Sequence, residues 1–328
     1  VASLRALFIG GNGIISSACS RLAVEKGIDV TLLNRGMDKT RPPIDGAKAL
    51  IADATDPESV RSAIGSNEFD VVVNFRVFDA RHAKGEIDLF SGRTGQYVFI
   101  STAAGYQKPV KRLPIIESTP LRNPFSPYAQ NKIASELAFG AAYRDAGFPV
   151  TIVRPSHTYD PTLIPLDGGW TVIDRMRRGR KTVIHGDGTS MWTLTHQEDF
   201  AQAFVELLGN PQVIGDSFHI TSDEALTWDM IAECLANAAG TSADIVHVAS
   251  NQVVREIPEW EGPILGDKSY SLVFDNSKIK TMVAGWTAKI PFWRGAQQIV
   301  DWYDAHPERK IVDSRIDLAL DRLAGVAE

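Results

Sequence analysis

The chain has little cysteine, no excess of positive charge and no long apolar run, and each shortage excludes a class of function. Its 328 residues include 2 cysteines, Cys19 and Cys234. Both fall within helical patterns and neither has metal-ligand spacing, so they read as buried free thiols and not as a disulfide or a metal site. That usage suits a reducing cytoplasm, the expected location. Lys and Arg number 34 against 40 Asp and Glu, a formal net charge of −6. With no basic stripe, broad binding to nucleic acid or to an anionic membrane is not expected. No apolar stretch approaches the ~18 residues of a membrane span, and no secretory pattern is present. His185 and His196 lack a third ligand at recognisable spacing, so no catalytic metal is expected.

What the chain does have is a repeated strand–helix rhythm. The apolar run 4–9 leads into Gly10-Gly11-Asn12-Gly13-Ile14-Ile15-Ser16, which opens a helical pattern ending near Glu25. Glycines let a backbone approach a pyrophosphate, and a helix N-terminus offers unpaired N–H groups and a favourable dipole. Gly10 and Gly13 are therefore candidate dinucleotide contacts, although Ser16 stands where a third glycine is usual. Further strands are expected at 29–33, 47–51, 71–75, 96–100 and 150–154, their near-continuous apolar character belonging to a parallel sheet covered on both faces. The expected fold is α/β, a doubly wound parallel Rossmann sheet with a smaller C-terminal substrate lobe. Residues 1–165 would form the dinucleotide-binding domain, joined by returning segments around 193–220, and residues 166–328 mainly the lobe. Residues 108–127 hold five prolines and read as a long loop. Helices are expected around 171–178 and at 228–239, and a strand at 245–248.

The most informative stretch is Tyr128-Ala129-Gln130-Asn131-Lys132. Residues four apart share a helical face, so a phenol and an ammonium can act on one substrate oxygen. A neighbouring ammonium stabilises a phenolate and lowers its pKa toward the working range. A solvated helix face would show the same spacing.

Together with the glycine turn and the Ser101-Thr102 pair closing the fifth strand, this motif resembles the extended short-chain dehydrogenase/reductase superfamily, in its NAD(P)-dependent epimerase/dehydratase-like branch. Asp53, Arg154-Pro155, Gly186-Asp187-Gly188 and Thr195-His196-Gln197-Glu198-Asp199 extend the likeness over most of the chain. The resemblance implies that Thr102 orients the substrate oxygen and Tyr128 transfers its proton, with Tyr106 setting the register on Thr102 and contacting substrate. It implies that Lys132 also binds the nicotinamide ribose, that Ile14, Ile15 and Pro155 line the cofactor, and that Asp53 bonds the adenine amino group. Hydrogen bonding at a strand end competes as a role for Ser101 and Thr102, and turn formation for Asp53.

The end of the second strand reads Leu33-Asn34-Arg35-Gly36, without the carboxylate that commonly holds the adenosine ribose. Arg35 offers a fork suited to phosphate, so NADP(H) is the preferred cofactor and NAD(H) the alternative. Arg35 stacked on adenine or facing solvent remains open. Arg76 would either meet the pyrophosphate or pair with Asp79 on the surface. Where relatives hold a nucleotide diphosphate with Asn and Arg, this chain has His157 and Trp192, which carry no fixed charge. Both are candidate substrate contacts as well as candidate core residues; Arg175, Arg177, Arg178 and Arg180 are the arginines that would have to replace a clamp.

The expected activity is hydride transfer between NAD(P) and a carbinol or carbonyl carbon of a small non-nucleotide substrate, with Tyr128 as acid/base. The alternatives are a redox-neutral epimerase or dehydratase of a sugar or nucleotide sugar, and a non-catalytic dinucleotide-sensing or RNA-associated protein. The expected partner is a small molecule, with a homodimer left open.

Overall fold

The computed structural model describes residues 3–36 and 41–325. Six strands come first: β1 (Arg5–Ile9), β2 (Asp29–Asn34), β3 (Lys48–Ile51), β4 (Val71–Asn74), β5 (Gln96–Ile100) and β6 (Val150–Pro155). The chain then forms β7 (His157–Tyr159), β8 (Thr182–His185), β9 (Met191–Trp192) and β10 (Leu194–His196) before β11 (Ser217–Ile220). β11 pairs in parallel with β6, giving a seven-stranded sheet in the order β3-β2-β1-β4-β5-β6-β11. Connections leave β1 and β4 toward opposite edges of the sheet, and such a switch point opens a crevice at the carboxyl ends of the strands.

Why these residues form this sheet follows from their alternation. Ala6 and Phe8 of β1 point to one face, where they join Val30, Val73, Phe200 and Phe204; Leu7 and Ile9 point to the other, with Val72, Phe99 and Phe139. Helix α1 (Ile14–Glu25) covers the first face, packed against the later helix Gln197–Val205, so segment 193–220 contributes both a helix and an edge strand to the main body. Helices α2 (Pro57–Ile64), α3 (Ala80–Phe90) and α4 (Pro127–Ala146) cover the second.

Helix α4 positions the Tyr128–Lys132 pair. Its N-cap Ser126 accepts a hydrogen bond from the Ala129 N–H (3.3 Å), Pro127 occupies the first turn, and Gly147 ends the helix in a left-handed conformation with φ 69. Tyr128 thus sits in the first turn, and Lys132 one turn deeper and buried. The segment 108–126 forms no helix and only isolated bridges at Ile115 and Leu121, and its last expected loop residue, Pro127, opens α4. A further core cluster gathers Trp170, Trp192, Trp228, Phe274 and Phe292 together with Ala103, Tyr106, Ile115 and Tyr159. Expected strands agree with observed ones to within a residue; the helices near 171 and 228 are Trp170–Arg177 and Trp228–Ala238.

Candidate active site

A cleft of about 460 Å³ runs along the carboxyl ends of the sheet, from Asn34, Arg35 and Asp53 past the glycine turn to Thr102, Tyr128 and Lys132. Gly13, Ile14, Ile15 and Pro155 also line it. Gly10 has φ +81, and a Cβ there would lie 2.5 Å from Cγ of Arg76, so the arginine stem rests directly on the turn. Ser16 accounts for the missing third glycine: its hydroxyl accepts from the Gly13 N–H (2.6 Å) and donates to the Gly10 carbonyl (2.7 Å), tying the turn shut from within. Arg76 lines the cleft with its guanidinium 4.7 Å above the Phe78 ring. Asp79 instead caps α3 by accepting from the His82 N–H (2.8 Å), so Arg76 lies along the cleft and not in an ion pair with Asp79.

At the far end, the Asn34 side-chain oxygen accepts from the Gly36 N–H (2.8 Å), and exposed Arg35 lines the mouth of the cleft. Asp53 serves as turn former and cleft wall together. Its Oδ1 accepts from the N–H and hydroxyl of Thr55, and these bonds, with Arg35 and Arg76 nearby, hold its carboxyl below the usual range. The glycine turn, the open α1 N-terminus, two arginines and the length of the cleft fit a dinucleotide.

At the inner end, Thr102 follows β5 and its hydroxyl accepts from the Ala104 N–H (3.2 Å). The neighbouring Ser101 hydroxyl is committed to Glu136 (2.5 Å), which leaves Thr102 as the residue facing Tyr128. Although Tyr128 is half exposed, partial desolvation raises its pKa above the ordinary value, the nearby Thr102 hydroxyl opposes the rise, and the Asp267 carboxylate adds to it. The expected activation by Lys132 is corrected here. The Lys132 ammonium donates to the carbonyls of Val77 (2.6 Å) and Ile100 (2.7 Å), and the Tyr128 pKa moves up, not down. The Tyr128 phenol therefore rests protonated at neutral pH. Burial lowers the Lys132 pKa to about 7; Arg76 pushes the same way and Glu136 opposes.

That shift has a measurable sign. An unfolded lysine titrates near ~10.4, so between pH 7 and pH 10 the unfolded chain binds more protons at this position and stability rises with pH. Lys132→Met is expected to remove that part of the rise, read as a smaller gain in urea midpoint from pH 7 to pH 10 than the parent shows. An identical slope in both proteins would mean that Lys132 keeps an ordinary pKa.

Tyr106 is not a substrate contact. It is fully buried, and its hydroxyl accepts from Arg154 (3.2 Å) and bonds His219 (3.1 Å). Arg154 in turn clasps Glu136 through Nε (2.9 Å) and Nη2 (2.6 Å). This network underlies the Thr102 turn from behind.

A second pocket, of about 80 Å³, shares Thr102, Pro155 and Ser156 with the large cleft and is lined further by His157, Trp192 and Asp267. The His157 and Trp192 rings meet edge to face at 6.1 Å, and Trp192 also packs on Trp228 in the same core cluster. Pocket wall and core residue are thus one role for Trp192. Burial, then Lys268, lowers the His157 pKa to about 3, so it is neutral. Sequence reading missed Asp267. It lies in a π-helical turn, Ile264–Lys268, a conformation frequent at functional sites, but nothing in its local spacing announces it. The arginines considered for a diphosphate clamp are engaged elsewhere: Arg175 with Asp317 and Asp321, Arg177 with Asp304, Arg178 with Asp174, and Arg180 with Asp321.

Other motif residues are structural. His196 caps the helix Gln197–Val205 and bonds Gln298 (2.9 Å), and Asp199 accepts from the Ile290 N–H (2.8 Å). Among the described residues no group of three His, Cys, Asp or Glu is placed to hold a metal, and no helix is long and apolar enough to cross a membrane.

The sequence profile of the NAD dependent epimerase/dehydratase family matches residues 6–220. A mouse dTDP-D-glucose 4,6-dehydratase is 24% identical, over 91% of this chain and 88% of its own. A Lactobacillus helveticus UDP-glucose 4-epimerase is 26% identical, over 93% and 98% respectively. The Arabidopsis thaliana chloroplast stem-loop binding protein of 41 kDa b is 26% identical over 74% of this chain, which spans 65% of that protein. Among solved structures, an epimerase from Methanothermobacter thermautotrophicus superposes with TM-score 0.78 at 15% identity, covering 94% of each chain. The dTDP-glucose 4,6-dehydratase of Bacillus anthracis, a complex with NAD, superposes with TM-score 0.73 at 21% identity, covering 93% and 98%.

Proposed function

The chain belongs to the NAD dependent epimerase/dehydratase family, as an enzyme of the extended short-chain dehydrogenase/reductase type, and we propose that it works on a carbinol or carbonyl carbon of a small, non-nucleotide substrate with Tyr128 as the acid/base. The observation that carries this reading is that Thr102 and Tyr128 line the inner end of one dinucleotide-sized cleft together with buried Lys132. The glycine turn, Arg76 and Arg35 would hold the dinucleotide, whose nicotinamide supplies or accepts the hydride when bound. Thr102 fixes the substrate oxygen, and Tyr128, protonated at rest, donates to that oxygen as a carbonyl becomes an alcohol and takes the proton back in reverse. The likeness to a dehydratase and an epimerase favours a second reading, a redox-neutral reaction that returns the hydride to the substrate. Net consumption of added NADPH or NADH with a found substrate separates the two.

For the cofactor, NAD(H) agrees with the NAD complexes among the structural neighbours. NADP(H) as the preferred partner rests on Arg35 and on the absence of an acid beside it. Arg35→Ala is expected to weaken NADP(H) selectively, by the ~1.5–3 kcal/mol of a hydrogen bond to a charged group, in calorimetric titrations of both dinucleotides. Equal affinities of the parent for the two would refute the preference.

A further inference from the structure

Helix α3 covers the sheet with Ala83, Leu89 and Phe90, and within that apolar stripe stands a fully buried carboxylate, Glu86. An apolar side chain would pack there without the desolvation that a buried charge entails. What the carboxylate does instead is collect donors. Its Oε2 accepts from the Asn74 side-chain amide (2.8 Å) and from the Tyr97 hydroxyl (2.7 Å). Its Oε1 faces Nε2 of His82 at 3.7 Å, and neither of these two atoms has another partner.

The bond to Asn74 has a consequence at the cleft. A carboxylate can only accept, so it decides which end of the Asn74 amide faces it: Nδ2 turns to Glu86, and Oδ1 is left for another donor. That donor is the backbone N–H of Arg76 (2.7 Å). The bond ties down the turn that leaves β4, and two features of the cleft wall belong to this turn. The stem of Arg76 lies over Gly10 with its guanidinium 4.7 Å above the Phe78 ring, and the Val77 carbonyl accepts from the Lys132 ammonium (2.6 Å).

We propose that Glu86 is a positioning residue for the dinucleotide: acting through Asn74, it sets the turn after β4 so that Arg76 meets the pyrophosphate and Val77 holds Lys132. The inference rests on the reading that the large cleft takes a dinucleotide, to which it adds a group behind the wall. Glu86 touches no ligand, being fully buried. Tyr97 separates this role from plain support of the fold, since its hydroxyl bonds the same oxygen of Glu86 from β5, whereas the Arg76 N–H is held by Asn74.

The test is calorimetric titration of NADP⁺ and NAD⁺ into the parent and its variants, with urea unfolding of each beside it. Glu86→Met removes the acceptor and is expected to weaken both dinucleotides by about tenfold. The loss should show none of the selectivity expected of Arg35→Ala, because the pyrophosphate is common to the two. Glu86→Gln keeps an acceptor oxygen at the same reach and is expected to restore most of the binding. Tyr97→Phe is expected to lose stability while binding both dinucleotides as the parent does. Glu86→Met combined with Arg76→Met should bind within about twofold of Arg76→Met alone, because the two residues act at one contact. Should Glu86→Met fail to fold, Asn74→Val carries the same expectations, since it removes the acceptor of the Arg76 N–H from a strand otherwise made of valine. The proposal is overturned if the folded variant of this pair binds both dinucleotides as the parent does, if Glu86→Gln binds no better than Glu86→Met, if Tyr97→Phe weakens binding as much, or if the losses from Glu86→Met and Arg76→Met add. Failure of the cofactor reading would look different: the parent itself would bind neither dinucleotide, and this proposal would fall with it.

Discussion

Tyr128→Phe is expected to lose most turnover, by the ~10²–10⁴-fold credited to a positioned proton-transfer group, while binding dinucleotide as the parent does. The ring stays and only the hydroxyl goes, so the packing at the start of α4 is kept. The direction of the pKa shift sharpens the expectation. With partial desolvation and Asp267 both raising it, the phenol is protonated at neutral pH, so reduction of a carbonyl, which needs a donor, should hold its rate up to alkaline pH. Oxidation of an alcohol needs the phenolate and should rise with pH over the same range. Steady-state rates in both directions across pH 6–10 check this, and unchanged turnover in the variant would remove Tyr128 from the chemistry.

Glu136→Ala should produce the largest loss of stability. The carboxylate is 6% exposed, accepts from Arg154 and from the Ser101 hydroxyl (2.5 Å), and joins α4 to the ends of β5 and β6. Its removal strands the Arg154 guanidinium in the interior, a change that typically costs ~3–5 kcal/mol. Replacing both partners, as in Glu136→Leu with Arg154→Met, should cost less than the single substitution, because no charge is left unpaired. Urea unfolding of the three proteins supplies the comparison; a loss below ~1 kcal/mol for Glu136→Ala would mean that water reaches Arg154. The consequence for function lies in the same contacts, since Arg154 also holds Tyr106 beneath the turn that presents Thr102.

Much of this architecture is legible in the sequence because the strands are buried on both faces. Runs such as Val71–Asn74 and Gln96–Ile100, every residue of which is buried, cannot be mistaken for amphipathic surface. The residues at the ends of those strands are legible for the same reason, as strand order fixes which ends meet at the switch point. Tyr106 was misplaced because sequence does not reveal which way an aromatic leaves a tight turn; Arg154 and His219 draw it inward. Lys132 lies on the helix face that its spacing predicts, but its effect on Tyr128 is not legible, since that depends on two distant backbone carbonyls, one at the end of β5 and one in the loop after β4. Arg76 shows the same limit: only the fold brings its stem over Gly10. Asp267 was invisible because it arrives from the lobe on a single π-helical turn. Asn34 and Arg35, by contrast, sit at a position that strand counting alone locates.

The account stands most directly on hydride movement at the carbon beside Tyr128. NADPH and NADH deuterated at the nicotinamide C4, incubated with the protein and a set of small carbonyl compounds, allow the products to be weighed by mass spectrometry. The account predicts one deuterium on the new carbinol carbon of at least one product, present with the parent and lost with Tyr128→Phe. Dinucleotide bound in the cleft with no deuterium in any product, or label transferred equally by Tyr128→Phe, would contradict it.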